Sequence, residues 1–87
     1  MPLVSTVDAP EVEGLAVRWT MSNGKRKITC WVRAAALEKL ADNPDLAKPD
    51  FLDTFVRHRS VLEERASAIY DRGLLDGNSV VIRKENV

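Results

Sequence analysis

One cysteine, Cys30, and one histidine, His58, are all that the chain has of either residue. A lone cysteine cannot close an internal disulfide, and neither a CxxC pair nor an HExxH segment is present, so the spacings that hold zinc are missing. No metal or other cofactor is expected. Charge of one sign is lacking as well, because 13 Lys and Arg residues balance 13 Asp and Glu. That balance removes any bulk attraction to nucleic acid or an anionic membrane and leaves only a local patch to serve either. No apolar run approaches the roughly 20 residues that a bilayer span needs. The opening MPLVSTVDAP has neither the basic segment nor the apolar stretch of a secretory signal, so the expected setting is cytoplasmic with no membrane partner. GxGxxG, a Walker-type loop and GxSxG are also absent, and the glycines fall at turns and caps. An enzyme is the less favoured class.

What remains is a composition 45% apolar and 30% charged, which lies within globular norms and away from the signature of disorder. At 87 residues the chain holds one domain, residues 1–87, since smaller pieces would bury too little surface to fold alone. Leu3 to Val7 is β-compatible and ends at Asp8-Ala9-Pro10. Asn23-Gly24 supplies the two positive-φ residues of a two-residue type I′ hairpin loop. Pairing Ser22 with Lys25 then sets Trp19 opposite Ile28, Val17 opposite Cys30 and Leu15 opposite Val32 on an apolar face. The reverse face receives Arg18 with Thr29, Thr20 with Lys27 and Ala16 with Trp31.

Ala34 to Ala41 consists of strong helix formers, with Leu37 and Leu40 pointing inward. Asn43-Pro44 and Lys48-Pro49 mark a loop. Asp50 is placed to cap a long helix running to about Arg72, where Gly73 can take the left-handed C-cap conformation. Ser79 to Arg83 is a last strand. The expected fold is α+β: a small antiparallel or mixed sheet in the order β-β-β-α-α-β, with a short and a long helix on one face.

On the long helix, Leu52, Phe55, Leu62, Ala66 and Ile69 share a face at spacings of three and four, and Arg59 interrupts it. Its stem must cross apolar surface before the guanidinium finds a partner. Glu63, four residues on, is the local candidate, and a carbonyl from a strand end or loop is another. Arg59 reads as a structural anchor, with an external anion as the alternative. His58 lies at the edge of the stripe, where it could serve as a base only beside a nucleophile or metal that the sequence does not supply. Cys30 faces the core by alternation, as an inert thiol.

On the reverse face of the hairpin, Trp31 stands among Arg18, Lys27 and Arg33, with Lys25 at the turn. Basic residues around an aromatic suit single-stranded nucleic acid, although such platforms usually offer two or three aromatics. The same surface suits a protein partner or a second copy of the chain, because tryptophan is a frequent anchor at interfaces.

Thr29-Cys30 at the end of a strand, Ala36-Leu37, Phe55, the pair His58-Arg59, Glu63, Ala66 and a closing strand from Val80 together resemble the small bacterial family catalogued as domain of unknown function 1488. The resemblance implies one compact α+β domain in a bacterial cytoplasm and brings no activity. His58, Arg59 and Glu63, which the helical wheel already isolates, are also family-like positions. Arg33 departs from the pattern, since members often place there a serine able to cap the next helix. Losing such a cap costs about 1 kcal/mol. The leading expectation is a non-enzymatic interaction module, acting as a homodimer or as an accessory subunit of a protein partner. A nucleic-acid-binding regulator comes second, and an anion or catalytic site at His58, Arg59 and Glu63 third.

Overall fold

Strand alternation and one parallel crossover build the molecule, seen in a computed structural model that describes residues 3–87. Five strands, β1 (Val4–Ser5), β2 (Glu11–Glu13), β3 (Ala16–Ser22), β4 (Lys27–Arg33) and β5 (Val80–Ile82), form a mixed sheet. Three helices, α1 (Ala34–Ala41), α2 (Phe51–Arg57) and α3 (Arg59–Asp71), lie between β4 and β5 in the chain. β1 and β2 both pair antiparallel with the outer edge of β3. β4 lies antiparallel to β3, and β5 returns parallel to β4 as the opposite edge. The fold is therefore α+β, with the helices on one side of the sheet.

Val17, Trp19 and Met21 of β3, Ile28, Cys30 and Val32 of β4, and Val80 and Ile82 of β5 point to the helices. They meet Ala36, Leu37, Phe51, Phe55, Leu62 and Ala66 in one continuous core. Trp19 and Phe55 sit at its centre with ring centroids 4.9 Å apart, within the range of favourable tilted aromatic pairs.

The hairpin closes differently from the two-residue expectation. Ser22 pairs with Lys27, not Lys25, so residues 23–26 form the loop. Asn23 organises it: its Oδ1 accepts the backbone N–H groups of Lys25 and Arg26 at 2.9 and 3.0 Å. This side-chain turn substitutes for the tighter backbone turn. Only Gly24 in the loop has positive φ, 94°. Trp19 consequently faces Cys30, Val17 faces Val32 and Met21 faces Ile28. Leu15, expected inside, lies outside the strand and is 71% exposed.

The long helix is also broken. At His58 the backbone leaves the helical region (φ −111°, ψ 15°), and its N–H is shared between the carbonyls of Thr54 and Phe55. On either side of the break, Phe51, Thr54 and Phe55 of α2 and Leu62 and Ala66 of α3 are buried. Leu52, expected inside, is 37% exposed. Asp50 does not cap the helix: it is helical itself (φ −92°, ψ −3°), ends a 3-10 turn at Lys48–Asp50, and makes no side-chain cap bond. Arg33 makes no side-chain cap bond at α1 either. There, the Ala34 N–H donates to the carbonyl of Leu15 at 2.8 Å, which satisfies one of the donors left over at a helix start. Gly73 takes φ +70° just past α3, as a left-handed helix end requires. Among the described residues no helix is long and apolar enough to cross a membrane.

Candidate functional site

α3 starts at Arg59, and its side chain runs back over Phe55, with Cζ 5.6 Å from the ring centroid. Nε donates to Glu63 Oε2 at 3.2 Å, and Nη2 donates to the carbonyl of Thr6 at 3.4 Å. Thr6 belongs to the excursion between β1 and β2, 53 residues away. One guanidinium thus joins the helix layer, the aromatic centre of the core and the N-terminal edge of the sheet. Both side chains are partly shielded from water, Arg59 28% and Glu63 16% exposed, so their attraction is screened less than that of a surface pair.

Cys30 lies under this brace, fully buried, with Sγ 3.7 Å from the carbonyl oxygen of Ile28. Burial, and secondarily the Glu63 charge, push its thiol up to about 12. A group so far from ionising at neutral pH is no nucleophile. His58 occupies the helix break and is half-buried. The structure therefore brings Arg59 and Glu63 together. Among the described residues no group of three or more His, Cys, Asp or Glu side chains could hold a metal ion.

The far side of the sheet carries no helices. Arg18, Thr20, Lys27, Thr29, Trp31 and Arg33 alternate with the core residues and point outward. Arg18 is held by two carboxylates, Glu11 at 2.6 Å and Glu13 at 2.9 Å, and its Cζ lies 6.0 Å from the Trp31 ring centroid. Lys27 pairs with Asp8 at 2.8 Å, and the Thr20 hydroxyl donates to the same carboxylate at 2.8 Å. The Lys27 ammonium first, then the Thr20 hydroxyl, hold the Asp8 carboxyl below its usual range. Lys25 is exposed in the hairpin loop.

These acids were not legible as part of the site, because Glu11-Val12-Glu13 is too short to stand out as a strand. Its signal is the alternation itself: Val12 packs against the core while both glutamates face Arg18. On this face Arg18, Lys27 and Arg33 stand against Asp8, Glu11 and Glu13, three cations against three anions. Arg33 is the one of these cations without an ion pair among the described residues. It borders an open groove of about 280 Å³ lined by Leu15, Ala16, Trp31, Arg33, Asp76 and Val81.

Residues 8–80 match the sequence profile of a family described as "Protein of unknown function (DUF1488)". No curated protein matches the chain. Among solved structures, a crystal structure of a protein of unknown function from the same family, from Shewanella loihica PV-4, superposes with a TM-score of 0.80. The two share 18% identity over 93% of this chain and 91% of that one. At that identity the likeness establishes the fold.

Proposed function

The chain belongs to the DUF1488 family, a membership that assigns no activity, and on that footing we propose that it is a non-enzymatic protein-interaction module whose docking surface is the helix-free face of the sheet. The observation that carries this reading is the groove beside Trp31, an apolar floor of Leu15, Ala16, Trp31 and Val81 left open to solvent. A tryptophan at such a place supplies large contact area at small entropic cost. Arg33 at the rim fixes the chemistry of the occupant: a protein segment presenting a bulky apolar side chain next to a carboxylate, which the unpaired guanidinium can grip bidentately.

Two other readings fare worse on physical grounds. A polyanion meets a face of no net charge, since Arg18 and Lys27 are already neutralised by Glu11, Glu13 and Asp8. Nucleic-acid affinity rests chiefly on cations free to replace counterions. At Arg59 the Glu63 carboxylate already neutralises the guanidinium and, with the Thr6 carbonyl, takes Nε and Nη2, which weakens its hold on a small anion, and the buried thiol nearby is far from ionising at neutral pH.

Selection from a random displayed-peptide library against the purified protein tests the proposal. Enriched peptides should share an aromatic or long aliphatic residue adjacent to Asp or Glu. Their binding should shift Trp31 emission while buried Trp19 stays constant. Affinity should fall at least about tenfold in Trp31→Ala and in Arg33→Glu. Enrichment of no motif, or binding indifferent to both substitutions, refutes the reading.

A further inference from the structure

Asn23 does more than close the hairpin. Its Oδ1 accepts the backbone N–H groups of Lys25 and Arg26, which fixes the orientation of the amide and leaves Nδ2 to donate to the Tyr70 hydroxyl at 3.0 Å. The Tyr70 oxygen is therefore the acceptor in that bond, and its own proton is left for another partner. This half-buried phenol borders an open hollow of about 290 Å³ between the end of α3, the base of the hairpin and the turn before β5. That volume lies at the lower end of the roughly 300–1,000 Å³ of ligand sites. The walls are held in place: Thr29 stands on β4, and Ser79 exchanges two backbone hydrogen bonds with Asp76 at 2.9 and 3.1 Å. Asn23 itself ties Arg26 and Tyr70, on opposite sides of the chain's fold, to one another.

The wall of this hollow contains cations and no carboxylate. Of its two cations, Lys27 is engaged by Asp8 at 2.8 Å, whereas Arg26 has no ion pair among the described residues. The neighbouring acids are turned elsewhere: Asp76 pairs with Arg83 at 3.2 Å, and Asp71, one helical step from Tyr70, is not part of the wall. One uncompensated positive charge is left, which suits a single negative one. A phosphate monoester, carrying about −1.5 to −2 at neutral pH, exceeds it. A guanidinium grips a carboxylate bidentately, and the free Tyr70 proton supplies a further donor. Thr29, Asn78 and Ser79 can each donate and accept, which matches hydroxyl groups on the ligand. Ile28 and Leu75 give a short carbon skeleton an apolar wall to rest against.

We infer that this hollow binds a small hydroxylated monocarboxylate, held by the Arg26 guanidinium and the Tyr70 hydroxyl. The site goes beyond the docking face, because no residue of the hollow lines the groove beside Trp31. Either can be occupied without the other. Arg26 is exposed and the hollow is open to solvent, so its charge is partly screened. Binding is accordingly weak, with a Kd of about 1–10 mM for a ligand of so few atoms.

Amide NMR titration of the isotope-labelled protein with glycerate provides the test, with its neutral counterpart glyceramide and inorganic phosphate as comparison probes. Glycerate should give saturable shifts at Arg26, Asn78 and Ser79, and glyceramide and phosphate should bind at least about tenfold more weakly. Arg26→Gln, a change at an exposed loop position, should weaken glycerate at least about tenfold, and Tyr70→Phe about three- to tenfold. Arg26→Lys should fall between wild type and Arg26→Gln, since it keeps the charge and loses the planar fork. Arg33→Gln, at the groove, should leave glycerate binding unchanged. No saturable shift at up to about 50 mM glycerate overturns the inference. So does equal affinity for glyceramide or phosphate, indifference to Arg26→Gln or to Tyr70→Phe, or an equal loss in Arg33→Gln. The docking face stands or falls separately, on the peptide selection with Trp31→Ala.

Discussion

Truncation of Arg59 tests the physical core of the structural argument. Arg59→Ala removes the i,i+4 pair with Glu63, the bond to the Thr6 carbonyl and the stacking over Phe55. An exposed helix pair is worth about 0.3–0.5 kcal/mol, and a cation over an aromatic face about 0.5–1 kcal/mol. Glu63 is left shielded without its cation, a penalty of about 1–3 kcal/mol for an unpaired buried group. The sum, discounted for the remaining solvent access of both side chains, is about 2–3 kcal/mol. For a domain of this size each kcal/mol shifts Tm by roughly 4–8 °C, so the variant should melt about 10–20 °C lower. Urea unfolding followed by tryptophan fluorescence reports the loss directly, because Trp19 packs on Phe55. A double-mutant cycle with Glu63→Leu isolates the pair. Arg59→Met with Glu63→Leu should be more stable than Arg59→Met alone, since replacing both charges removes the orphaned one. A loss below about 0.5 kcal/mol for Arg59→Ala, or a cycle that is simply additive, would show that the guanidinium is no brace.

Three further outcomes follow from single groups. Cys30 should resist a disulfide-exchange reagent at pH 8 in the native state and react at once in denaturant; rapid native reaction contradicts its burial. Since folding raises that thiol from 9.0 to about 12, its contribution is complete below pH 9 and is lost as pH rises from 9 toward 12; Cys30→Ala should lack this part of the alkaline decline in urea titrations. Asp8 is shifted the other way, below 3.8, so its contribution holds above that value and disappears as pH falls through the lowered one. Asp8→Asn should therefore flatten the acid limb of the stability profile, and an unchanged limb would contradict the Lys27 pairing. Leu62→Ala, at a fully buried position, should cost about 2–5 kcal/mol in the same urea assay, and a neutral result would mean that α3 does not pack as described.

Local chemistry made α1 and the closing strand legible, because Ala, Leu, Glu and Lys favour a helix and Val80-Val81-Ile82 favours a strand without help from the rest of the chain. The break at His58 was not legible: residues 55–62 contain neither Gly nor Pro, and the three-and-four spacing continues across it. The buried residues do not mark it either: Phe51, Thr54, Phe55, Leu62 and Ala66 would share one face of an unbroken helix as well. Half of the Arg59 brace could be read from Glu63 at i+4. Its other half, the Thr6 carbonyl, is unreachable by periodicity because the two residues lie 53 positions apart.

The hairpin shows why the candidate docking face survived an incorrect register. Expecting Lys25 opposite Ser22 where the structure places Lys27 displaces one strand by two residues. Side chains alternate with a period of two, so that slip changes each partner and leaves every strand residue on its own face. Trp31 and Arg33 stay outward, and Cys30 and Val32 stay inward, whichever loop is chosen. A slip of one would have turned one strand over, burying Lys27 and Arg33 of β4 or else Arg18 of β3. The energy of that alternative, charge without water, makes parity the most strongly encoded property of these strands. Neighbour identity is a finer property, set here by the Asn23 side chain closing on Lys25 and Arg26 and donating to the Tyr70 hydroxyl at 3.0 Å. The surface available to a partner therefore follows from parity alone. Arg18 over Trp31 and the exposure of Leu15 depend on the loop. Asn23→Ala should consequently loosen the loop and the Tyr70 tie while leaving Trp31 half-buried on the same face, an outcome that tryptophan quenching by iodide can measure.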